Sequence, residues 1–164
     1  MADAAVSQLI ILLDTAFADD EEHSLLANLR NVGPHEWRNR VPSAERTIRA
    51  ITYHTGVAKY LYGNHLLGDS SKTYESVLRT APSTGDASEK DVVVRWLREG
   101  HREFVDGVRT LTDADLVVPA PTHWGEIRPK AGHIYALIVH DTYHAGEINH
   151  LRALLQDNDK WPGY

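Results

Sequence analysis

The chain has no cysteine among its 164 residues. That absence excludes disulfides and thiolate metal sites, so any metal must be held by nitrogen and oxygen. Any thiol chemistry would need a thiol brought in from outside. Long apolar runs are missing too. The longest, Leu9 to Leu13, falls far short of the ~20 residues that span a bilayer. The opening Met1-Ala2-Asp3-Ala4 lacks the basic region of a signal peptide. A soluble, cytoplasmic protein with no membrane partner is expected. A basic surplus is also lacking: the net charge is −6 and the sequence pI is about 5.9. General nucleic-acid binders carry a basic surface, so no nucleic-acid partner is expected. Arg95, Arg98, Arg102 and Arg109 share one segment, but Glu99, Glu103 and Asp106 alternate with them. That pattern reads as a solvated helix face laced with ion pairs. Internal repeats and low-complexity tracts are absent.

What remains is ordinary for a globular chain, with 42% hydrophobic and 24% charged residues. The length suits one domain over 1–164, with a core that needs no staple. Helical periodicity recurs in four segments. The first, Ala4 to Ala18, places Val6, Leu9, Ile10, Leu13 and Phe17 on one stripe. The acidic run Asp19 to Glu22 reads as a helix restart, which Gly33-Pro34 ends. The second spans Thr47 to Leu67, with Thr47 as N-cap and Gly68 as stop. Ile51, His54, Ala58, Leu61 and His65 lie on its inner face. The third spans Glu89 to Thr110, with a Ser88–Asp91 capping box and an inner stripe of Val94, Leu97, His101, Val105 and Val108. The fourth spans Ala131 to Gln156. No segment alternates like a strand, and Leu116 to Ala120 is short and ends in prolines. Four such helices and one longer crossover predict an all-α four-helix bundle.

Ten histidines stand out. His140 and His144 are four residues apart, about 400° of turn and roughly 6 Å of rise, so both rings leave one helix face. Their stripe includes Leu137, Glu147, Leu151 and Leu154, which marks it as inward-facing. Buried imidazoles need a hydrogen bond or a metal. His54 adds a third nitrogen from the middle of another apolar stripe.

The segment Y-H-T-G-V-A-K-Y-L-Y-G-N-H around His54 resembles the DinB superfamily. So do V-H-D-T-Y-H-A-G-E-I-N-H-L-R-A-L-L-Q around His140, the block Glu22 to Leu29 and the closing Trp161. The most specific part is H-x-x-x-H-x-G-[QE]-I, beginning at His140. The resemblance implies an up-down-down-up bundle and one metal held by His54, His140 and His144. It also implies a homodimer, for which Trp37 and Trp161 are candidate exposed contacts, unless each simply caps the local core. Where the family often has Gln, this chain has Glu147.

Three imidazoles suit zinc, nickel, copper or ferrous iron, with zinc and nickel leading. Three protein ligands leave positions open, the pattern of a catalytic site. A di-iron centre would need a second E-x-x-H on another helix, and only Glu147 to His150 fits. Glu147 is a candidate catalytic residue: it can orient an imidazole, accept a proton, coordinate, or simply pair with an arginine. His23, His65, His101 and Tyr143 are candidate pocket-lining residues, with Tyr53 flanking a ligand. His65 lies too far along its helix from His54 to share the ion. Similar bundles act as thiol S-transferases that use mycothiol or bacillithiol, or are called metal-dependent hydrolases. The chain is therefore expected to act on a small molecule with a low-molecular-weight thiol as co-substrate, or by hydrolysis. The alternative is a non-catalytic metal-binding or stress-response module.

Overall fold

The computed structural model describes residues 3–86 and 88–160. The chain is a helical bundle, with seven α-helices and little strand among the described residues. α1 (Ala4–Asp14) runs directly into a π-helical segment, Thr15–Asp19. The expected single helix to Ala18 thus changes its winding after Asp14. α2 (Leu25–Arg30) does not begin at the acidic run. Asp20 turns back on itself, accepting from the backbone N–H groups of Glu22 and His23 at 2.9 and 2.7 Å. Ser24 is the cap, its hydroxyl accepting from the Ala27 N–H at 3.3 Å. Gly33-Pro34 opens another helix, α3 (Pro34–Arg38), where proline at the first turn costs no hydrogen bond.

α4 (Ile48–Leu67) starts on the Thr47 cap as expected. A short α5 (Tyr74–Leu78) follows, then α6 (Glu89–Val108). The Ser88 capping box does not form. Asp86 instead accepts from both the Ser88 N–H and hydroxyl, at 2.8 and 2.6 Å. A 3₁₀ turn, Asp113–Val117, leads to a hairpin that the sequence reading missed: β1 (Pro119–Pro121) pairs antiparallel with β2 (Ile127–Pro129). Prolines are tolerated there because each strand has a free edge. α7 (Lys130–Gln156) closes the bundle and ends at Asp157 in the left-handed region, φ 48°. No helix among the described residues is long and apolar enough to cross a membrane.

Two expectations about single residues fail. Trp37 is 2% exposed, so the surface-contact reading fails and the local-core alternative holds. Its indole N–H reaches the buried Glu89 carboxylate at 3.4 Å, which supplies the acceptor that burial demands. Leu154, assigned to the inner stripe of α7, is 50% exposed. Trp161 lies outside the described residues.

The core is divided. One apolar cluster joins Phe17, Ile48, Ile51, Val93, Leu97, Ala145 and Ile148. The other joins Leu13, Ala58, Phe104, Val105, Ile134 and Leu137. On every long helix the break between them carries polar side chains: Asp14 at the end of α1, His54 on α4, His101 on α6, and His140, Asp141 and His144 on α7. A polar layer therefore crosses the bundle at mid-height. It holds the candidate site.

Candidate metal centre

α4 packs against α7 and brings His54 to the pair on α7. The ring centroids of His54 lie 4.9 Å from His140 and 5.0 Å from His144, and those of His140 and His144 are 4.4 Å apart. Each residue offers one ring nitrogen, and the three nitrogens lie within 4.8 Å of one another. Nε2 of His54 and Nε2 of His140 are 3.0 Å apart. Nitrogens bound tetrahedrally to zinc at ~2.0–2.1 Å sit roughly 3.3 Å from each other, so the observed spacing is close to that of a ligand set.

Electrostatics favour the neutral, ligating form of the rings. Burial lowers His54 to about 4, helped by the neighbouring His144. Burial lowers His140 to about 2, with His144 and His54 adding to it. His144 is also lowered by burial, although the Glu147 carboxylate opposes the shift.

Glu147 sits one turn beyond His144, and its Oε2 accepts from His144 Nδ1–H at 2.7 Å. This fixes the tautomer and leaves His144 Nε2 unprotonated. Arg46, just before α4, donates to both carboxylate oxygens at 2.8 and 2.9 Å. The ion pair and the imidazole contact thus coexist. His140 Nδ1 is buried with no partner among the described residues. The donor set, neutral and nitrogen-only with one carboxylate behind it, fits a borderline divalent ion such as zinc or nickel.

The other expected pocket residues lie elsewhere or at the edge. His23 is exposed and contacts Asp20 at 3.1 Å. His65 bonds the Lys72 carbonyl at 3.1 Å. His101 belongs to a separate buried network, with Asp14 at 2.9 Å and Lys59 at 3.2 Å. Tyr143 is 64% exposed, its ring 5.0 Å from His144. The Tyr53 hydroxyl points away, toward the Pro82 carbonyl and Glu89.

Several neighbours of the site escape a reading of the sequence. Tyr74 of α5 lies 5.9 Å from His54, and Tyr62 of α4 lies 6.3 Å from His140. His123 and Trp124, at the hairpin tip, pack on Tyr62 at 5.0 and 5.8 Å. The triad thus has aromatic rings on two sides. Only the phrase H-x-x-x-H signals the site locally, whereas these walls arrive from remote turns.

Residues 18–148 match the family model described as the DinB superfamily. The matched span includes all three histidines and Glu147. No curated protein matches the chain.

Proposed function

The chain belongs to the DinB superfamily, and on that premise we propose that it binds one divalent metal ion through His54, His140 and His144 and serves as a thiol S-transferase. The convergence of three neutral imidazoles from two helices, with nitrogens within 4.8 Å, carries this reading. A bound zinc or nickel ion would supply the Lewis acidity that ionises a thiol or water at neutral pH.

The chain's own groups do the rest. Glu147 holds the His144 ring in register, and Arg46 holds Glu147. That double commitment weighs against Glu147 as a general base for water and so favours a thiol, which ionises more readily. In this reading the co-substrate is a small thiol of the mycothiol or bacillithiol type, with which a chain that has no cysteine of its own is compatible. In the transfer, the thiolate sulfur forms a bond to an electrophilic carbon of the second substrate. The leaving group departs with the electron pair of the broken bond, and the thiol proton passes to solvent. Tyr74, half-buried beside His54, offers an apolar face to that substrate.

Titration of the cobalt-substituted protein with mycothiol tests this. A sulfur-to-cobalt charge-transfer band and turnover of monochlorobimane are expected. Tight cobalt binding with neither band nor turnover would leave a metal-binding module without catalysis.

A further inference from the structure

The polar layer has a second half. Lys59 of α4 and Asp141 of α7 form a salt bridge in which both side chains are 0% exposed. The Lys59 ammonium also donates to His101 Nδ1 of α6 at 3.2 Å. His101 Nε2–H in turn donates to Asp14 at the end of α1, at 2.9 Å. The His101 ring stacks on Phe17 of the π segment, with centroids 3.8 Å apart and planes 8° from parallel. The network of Lys59, Asp141, His101 and Asp14 thus links α4, α7, α6 and α1.

Such a device is a poor source of stability. Two ions taken out of water lose several kcal/mol each by order of magnitude, and a well-packed apolar pair of similar volume often does as well or better. This pair is also incompletely satisfied: Asp141 Oδ1 is buried without a partner among the described residues. Its distinctive property is directional. Apolar side chains can slide or rotate past one another at small cost, whereas a misplaced buried charge loses partners it cannot replace.

The pair joins the same two helices that carry the histidines. Asp141 follows His140 directly and precedes His144 by less than one turn. Lys59 is five residues after His54, roughly 7.5 Å along α4. We infer that Lys59 and Asp141 are positioning residues that fix the rotation and register of α4 against α7, so that His54 meets His140 and His144. The inference rests on the metal-binding reading for its use, but the geometry it asserts exists without metal.

The test is the double variant K59M/D141L, which replaces the pair by apolar groups of similar volume, measured beside the wild type. It is expected to stay folded and to melt cooperatively, since apart from the pair only the buried His101 Nδ1 loses a donor. In the metal-free protein, nuclear Overhauser contacts between the His54 and His140 rings should be present in the wild type and lost or broadened in the variant. Cobalt affinity should fall about 10–100-fold, the scale seen when support behind metal ligands is removed, with an altered ligand-field spectrum. A folded variant that keeps the ring contacts overturns the inference. A variant that no longer folds also overturns it, because the pair is then a structural element. If the wild type binds no cobalt, the metal-binding reading fails separately, and the ring contacts still decide the positioning claim.

Discussion

At His140, one ring nitrogen faces His54 and the other is buried without a partner among the described residues. His140→Ala should therefore reduce divalent-metal affinity by more than the ~10–100-fold expected for losing support behind a ligand, while the fold persists. Competition with a chromophoric chelator measures this. Glu147→Gln should fall within that ~10–100-fold range, because the amide keeps the shape but weakens the grip on His144 Nδ1–H. An unchanged affinity would show that Glu147 serves only its ion pair with Arg46. Spacing made His140 and His144 legible as a pair, and the apolar stripe around His54 suggested the third ring. Arg46 could not be read, because its partner Glu147 lies 101 residues away. Lys59 was equally hidden. A lysine between alanine and tyrosine looks like surface until the fold places Asp141 against it.

Among the elements, the helix boundaries that were legible are those with local chemistry. Thr47 announces α4 because its hydroxyl caps a backbone N–H three residues on. The start of α2 was misread because Asp20 bonds the same kind of N–H in a turn, so acidic residues alone did not identify the cap. Ser24→Ala should cost about 1 kcal/mol of stability, read as a lower denaturant midpoint, whereas Glu21→Ala should change little. The hairpin is not legible because strands of three residues that include prolines carry no alternation. Gly56 shows a requirement visible only in three dimensions. A Cβ there would lie 2.1 Å from Trp96 of α6, so the glycine lets α4 and α6 approach. Gly56→Ala should destabilise by about 1–3 kcal/mol despite alanine's better helix propensity. A stabilised variant would show that Trp96 moves aside freely.

For the whole molecule, the polar layer makes acid a specific threat. In the metal-free protein, burial holds His101 and His140 near 2 and His54 near 4, below the ordinary value of 6.5. Folding keeps these rings neutral while the unfolded chain protonates them. Their contribution is thus complete above about pH 6.5 and is lost as pH falls toward the folded values. Each group's contribution falls away within its own window. Glu89, held near 2 chiefly by its hydrogen bonds with Arg49, adds a second loss below about 4.5. The melting temperature should therefore decline from pH 6.5 downward and steepen below 4.5. A profile flat from pH 7 to 5 would contradict the buried, neutral state of these histidines. Helical class was legible at this scale because four periodic segments admit few alternatives. The division of the core was not, because it depends on which polar residues meet at one height.

The most direct measurement is the metal content of protein purified without chelator or nickel resin, by elemental analysis of the wild type and His140→Ala in parallel. One zinc or nickel ion per wild-type chain, and almost none in the variant, is the predicted result. A wild-type protein that remains metal-free after exposure to both ions would contradict the account.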